Sequence, residues 1–81
     1  MDIHQFLNWI VGKDIEGDPK EIELTIRRKL TKKEYKISTA LFGGEEIEEV
    51  SERLNLTPEK AKKLFDNSKK KILSIIKEHN V

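Results

Sequence analysis

The sequence predicts a small all-α protein, a single-domain helical bundle containing a helix-turn-helix unit. Apolar residues recur at intervals of three and four in nearly every segment of the 81-residue chain, which is the spacing of one helix face. Most of these segments begin with a residue that caps a helix N-terminus. No two segments alternate between apolar and polar residues as a pair of neighbouring strands would, so we expect five helices and no sheet.

Composition restricts the function more than it identifies it. The chain has no cysteine, which excludes disulfides and thiolate chemistry. It shows neither a signal peptide nor an apolar run long enough to span a membrane, so we expect a cytoplasmic protein that has no membrane partner. The net charge is only +1, but residues 58–81 hold seven Lys/Arg against three Asp/Glu. The basic charge is therefore concentrated in the last helix.

The first helix is predicted over about residues 2–12, with Asp2 as its N-cap. Its apolar stripe consists of Ile3, Phe6, Leu7, Ile10 and Val11. Trp9 flanks this stripe, and we expect it to lie in the core together with Phe6 and Phe65. Two glycines mark residues 12–17 as a loop.

The second helix is predicted to begin at Asp18, because Asp18, Pro19 and Glu21 form a cap followed by a first-turn proline. Ile22 and Ile26 then recur every four residues. A strand is the alternative, since Ile22, Leu24 and Ile26 also alternate. The good cap and the lack of a partner strand favour the helix.

The third helix is predicted to begin with a capping box formed by Thr31 and Glu34. Ile37, Ala40 and Leu41 supply its inner face, and Tyr35 and Phe42 lie at the edges. Gly43 and Gly44 end it, because glycine readily takes the left-handed conformation that follows a helix.

A short helix over about residues 45–54, a turn and a long helix starting at Pro58 complete the chain. Asn55 can take the left-handed conformation of the turn, and Thr57 before Pro58 is a strong helix start. The last helix should run to about residue 78. Its inner stripe consists of Ala61, Leu64, Phe65, Ser68, Ile72, Ile75 and Ile76. The layout is that of a DNA-binding helix-turn-helix.

From Leu30 to Ile72 the chain resembles region four of bacterial sigma factors and related sigma-like regulators. Leu30, Thr31 and Glu34 match the opening of the family pattern, and Gly43-Gly44 matches its glycine-containing loop. Residues 48–57, Glu-Glu-Val-Ser-Glu-Arg-Leu-Asn-Leu-Thr, match its helix-and-turn block position by position. Lysines stand where the family usually has arginines. Residues 30–81 are therefore expected to form the sigma-like unit, with residues 1–29 as a helical extension that packs on its core.

The resemblance implies a small DNA-binding protein, a transcription regulator whose recognition helix starts at Pro58. Its outward residues would contact the major groove and the adjacent backbone of double-stranded DNA; these are Glu59, Lys60, Lys62, Lys63, Asn67 and Lys70. A second basic cluster would contact phosphates and consists of Arg27, Arg28, Lys32, Lys33 and Lys36. Both sets are also compatible with an ordinary solvated surface.

The alternative is a protein-interaction module that kept the scaffold and lost DNA binding. Five glutamates load the helix at residues 45–54 with negative charge, and that helix could contact RNA polymerase or another protein. A homodimer could form through the first helix or the end of the last. We expect no metal, no cofactor and no enzymatic activity, because His4 and His79 are far apart in sequence and Ser51 has no neighbouring base.

Overall fold

The computed structural model describes residues 2–12, 14, 15 and 18–79, and all regular secondary structure in these residues is helical. The predicted all-α fold is therefore confirmed. The helices are α1 (Ile3–Val11), α2 (Pro19–Lys29), α3 (Lys32–Phe42), α4 (Ile47–Arg53) and α5 (Pro58–His79). No helix in the described part of the chain is long and apolar enough to cross a membrane.

The sequence signals for helix starts correspond to actual caps. The Asp2 carboxylate accepts a hydrogen bond from His4 N at 3.0 Å, and Asp18 accepts one from Lys20 N at the same distance. Thr31 forms the complete capping box with Glu34. These contacts satisfy amide groups that have no partner inside the helix.

The loop between α1 and α2 falls partly outside the described residues, but its middle is anchored. The side-chain oxygen of Asn8 accepts a hydrogen bond from Ile15 N at 3.0 Å, and Ile15 is buried. Gly12 ends α1 with a φ of 84°, a left-handed conformation that a residue with a Cβ rarely takes.

The core has two parts, and α5 contributes to both. The first lies between α1, α2 and the C-terminal half of α5, with Phe6, Ile26 and Ile72 completely buried. The second lies between α3, α4 and the N-terminal half of α5, around Ile37, Val50 and Ala61. The long helix therefore joins α1 and α2 to α3 and α4.

Two details of the prediction are corrected, the burial of Trp9 and the start of the fourth helix. Trp9 is not a core residue: it is 44% exposed, and its ring covers the rings of Phe42 and Phe65 at centroid distances of 5.6 and 5.8 Å. The two glycines do end α3 as predicted, and Gly44 is the one that takes the left-handed conformation, with a φ of 98°. The fourth helix begins at Ile47, which leaves Glu45 in the connection before it.

Candidate nucleic-acid interface

The turn between α4 and α5 has the backbone that its sequence predicts. Asn55 has a φ of 57° and is the one residue other than glycine with a positive φ among the described residues. Leu56 N donates to Ser51 O at 2.8 Å, which closes the end of α4. Thr57 Oγ1 then accepts a hydrogen bond from Lys60 N at 3.2 Å. The four residues 54–57 thus connect α4 to α5, and α5 starts with a capped first turn.

Small and apolar side chains hold α4 against α5. Val50 and Ala61 are completely buried, and Leu54, Leu56 and Leu64 pack around them. Ser51 is buried beside them, and its hydroxyl donates to Ile47 O at 2.6 Å. This hydroxyl is satisfied by its own helix, so Ser51 acts as a small packing residue.

The geometry of the turn gives a prediction for position 55. Asn55→Gly should change the free energy of unfolding by less than about 0.5 kcal/mol, because glycine takes the left-handed conformation without steric cost. Asn55→Ala should lower it by about 1 kcal/mol. Urea unfolding followed by circular dichroism would measure both. Equal losses in the two variants would show that the left-handed conformation of residue 55 does not matter to stability.

The recognition-helix residues predicted from the sequence occupy more than one side of α5. All are exposed except Asn67, which is half-buried. At about 100° per residue, four of them form one continuous stripe along the helix. We call this the α5 stripe, and it consists of Lys60, Lys63, Asn67 and Lys70. Lys62 projects from nearly the opposite side to Lys60, and Glu59 lies between Lys62 and Lys63.

The cations of the α5 stripe are available to a partner. None of the ion pairs formed by the described residues involves Lys60, Lys63 or Lys70. Two other lysines of α5, not singled out in the sequence, have structural contacts instead. The ammonium of Lys69 lies 5.4 Å from the centre of the Phe65 ring, and Lys71 pairs with the buried Glu34.

The second basic cluster divides into separate groups. Arg27, Lys32 and Lys36 line one groove together with Leu30, Thr31 and Tyr35. Arg28 instead lines a second groove beside Glu21 and Leu24. Lys33 is exposed and lines neither of these grooves.

The position of α3 separates the groove of Arg27 from the α5 stripe. Glu34 and Ser38 are buried on the side of α3 that meets α5, and Ser68 Oγ donates to Glu34 O at 3.3 Å. Helical periodicity puts Lys32 and Lys36 on the opposite side of α3. The groove is thus behind α3 as viewed from α5.

The surface of α4 is acidic, as its sequence predicts. Glu48 and Glu49 lie in its first turn, where the helix dipole favours negative charge. Glu45 pairs with Arg53, with one of the two contacts at 3.0 Å. A hydrogen bond from the Arg53 guanidinium lowers the pKa of Glu45 and raises the pKa of Arg53.

No protein-family model, curated protein or solved structure matches this chain. Its function is therefore inferred from its own residues and their geometry. Within the described residues, no group of three or more His, Cys, Asp or Glu side chains is arranged to hold a metal ion.

Proposed function

We propose that this chain binds double-stranded DNA through its helix-turn-helix and acts as a small transcription regulator related to sigma region four. The observation that carries the proposal is the unpaired α5 stripe on the helix that follows a compact, capped turn. In this arrangement α5 lies in the major groove. Lys60 and Lys63 lie near its N-terminus, where recognition helices contact base edges and the flanking phosphates.

Electrostatics account for affinity better than for sequence specificity. The α5 stripe offers three ammonium groups and one amide, Asn67. Lysine binds phosphate as a point charge but reads guanine less well than the planar fork of arginine does. Asn67, the side chain of the stripe best suited to adenine, is half-buried. We therefore propose that phosphate contacts supply most of the binding free energy.

The test is binding to a mixed-sequence duplex by fluorescence anisotropy over a range of salt concentrations. The variant is Lys60→Gln with Lys63→Gln, and the control is Lys20→Gln with Lys77→Gln, which removes the same charge from two exposed positions. Lys77 is about 20 Å further along α5 than Lys63, at 1.5 Å per residue. The stripe variant should weaken binding at least about tenfold and reduce the log–log salt slope by up to about two units. The control should change little.

Failure to bind even at low salt, or equal losses in both variants, would reject the proposal. It would favour the second candidate, a protein-interaction module. The observation behind that candidate is the row of exposed carboxylates around α4. These are Glu46, Glu48, Glu49 and Glu52, none of which belongs to an ion pair among the described residues. Such a surface fits a basic partner, for example a basic segment of RNA polymerase or of another protein.

A further inference from the structure

The groove between the end of α2 and the start of α3 has a chemistry of its own. Its volume is about 330 Å³, which is within the range of small-ligand sites. Arg27, Lys32 and Lys36 provide three cations, and no acidic side chain lines it. Its apolar surface comes from Leu30 and Tyr35, whose side chains are buried and half-buried respectively.

The arginine of this groove is held in place. Its guanidinium lies 5.4 Å from the centre of the Tyr35 ring and 3.2 Å from Glu23 Oε1 in an i,i+4 ion pair on α2. A guanidinium placed over an aromatic face loses little further freedom when it binds an anion.

The two lysines are placed where they reduce the stability of the free protein. They stand four residues apart on one face of α3, and like charges at that spacing repel each other. Lys32 also occupies the first turn of α3, where the helix dipole disfavours a cation. None of the described ion pairs involves Lys32 or Lys36. An anion bound between them would relieve both unfavourable interactions.

We infer that this groove is a phosphate-binding site, separate from the α5 stripe. Arg27, Lys32 and Lys36 would donate charge-assisted hydrogen bonds to the phosphate oxygens, and an organic group on the phosphate would pack on Leu30 and Tyr35. The groove lies on the opposite side of α3 from α5, the helix proposed to enter the major groove. The phosphate belongs either to a free ester such as a nucleotide or to the backbone of a second nucleic-acid segment.

Tyr35 provides the measurement, because it is the only tyrosine in the chain. Its ring signals and the backbone amide signals of α3 would be followed by NMR during titration with inorganic phosphate, adenosine monophosphate and a short duplex. Ionic strength would be held constant, and sodium chloride would serve as the anion control. The groove variant is Lys32→Gln with Lys36→Gln. The matched control is Arg28→Gln with Lys33→Gln, which removes two charges from neighbouring positions that do not line the groove.

The inference predicts saturable shifts at Tyr35 that weaken about tenfold or more in the groove variant and persist in the control, since two charge-assisted hydrogen bonds are lost. Saturable shifts with inorganic phosphate show the site itself, and tighter binding of the nucleotide than of the duplex identifies a free ester as the ligand. Shifts with the duplex alone identify the nucleic-acid backbone. The absence of saturable shifts with every phosphate probe, their reproduction by chloride, or equal losses in both variants would overturn the inference.

The α5 variant described above separates this inference from the proposed function. Lys60→Gln with Lys63→Gln should weaken duplex binding at least about tenfold and leave the binding of nucleotide at Tyr35 unchanged. If the wild-type protein binds phosphate at Tyr35 but no duplex, the proposed function fails and the phosphate site stands. The groove variant should remain folded, since it removes a repulsion and breaks no described contact.

Discussion

Ile26→Ala should lower the free energy of unfolding by about 3 kcal/mol, whereas Leu24→Ala, two residues away, should change it by less than about 0.5 kcal/mol. Ile26 is completely buried among α1, α2 and α5, and Leu24 is 62% exposed. Removing the Ile26 side chain leaves a cavity where the first helices meet α5. The same truncation at Leu24 removes a side chain that is already largely in contact with water, so it leaves no cavity.

Thermal and urea unfolding would measure both variants. A loss of 3 kcal/mol is a large part of the total stability of a domain of this size, about 4–12 kcal/mol. It should lower the melting temperature by more than about 10 °C. Similar losses in the two variants would contradict the helix, because only a strand would bury residues 22, 24 and 26 on one face.

Leu24 and Ile26 also show which structural features a local sequence pattern can predict. The choice between helix and strand over residues 22–26 depends on the cap at Asp18, and that cap is visible in the sequence. The left-handed conformation of Asn55 and the N-cap formed by Thr57 are equally local features, and both are confirmed. Turn and cap chemistry acts over three or four residues, which is why these predictions succeeded.

The features that escaped prediction depend on contacts between distant parts of the chain. Trp9 packs against Phe42 and Phe65, which are distant from it in the chain, and no local pattern specifies these contacts. The second basic cluster appears continuous in sequence, but only the tertiary fold brings Arg27 of α2 into the same groove as Lys32 and Lys36 of α3. The position of each cation relative to α5 requires the tertiary fold.

The clearest omission is the pairing of Glu34 with Lys71. The sequence identifies Glu34 as a capping residue, and its carboxylate does accept a hydrogen bond from Thr31 N at 2.8 Å. It also lies 2.7 Å from Lys71 Nζ, although 37 residues separate the two in the chain. Lys71 Nζ is 3.4 Å from Lys29 O as well. One ammonium group therefore connects α5 to the start of α3 and to the end of α2.

Lys71→Met should lower the free energy of unfolding by about 2 kcal/mol. Glu34 is only 3% exposed, and loss of the ammonium leaves its charge without a cation. The cost is less than for a fully buried pair because the Lys71 side chain is 40% exposed. Lys70→Met is the control: Lys70 is exposed and belongs to no described ion pair, so little change is expected. Adding Glu34→Gln to Lys71→Met should restore part of the loss, since glutamine can still complete the capping box.

The pH dependence of stability tests the ion pair of Glu34 and Lys71 by titrating Glu34, without changing the size of either side chain. Burial alone would raise the pKa of Glu34, but hydrogen bonds from Lys71 and Thr31 and the charge of Lys71 outweigh it and hold the pKa below its ordinary value. A carboxylate whose pKa is lower in the folded state stabilises the protein above its unfolded pKa, about 4.3 for glutamate. This stabilisation is lost as the pH falls through the folded pKa.

The measurement is the free energy of unfolding of the wild-type protein and of Glu34→Gln between pH 7 and pH 2.5. The wild-type protein should be the more stable near neutrality. The difference between the two should be constant down to about pH 4.3 and then shrink, because protonation turns the wild-type side chain into a neutral analogue of glutamine. Taking the difference cancels the titration of the other carboxylates, which both proteins share. A difference that stays the same at every pH would mean that the charge of Glu34 does not stabilise the junction of α2, α3 and α5.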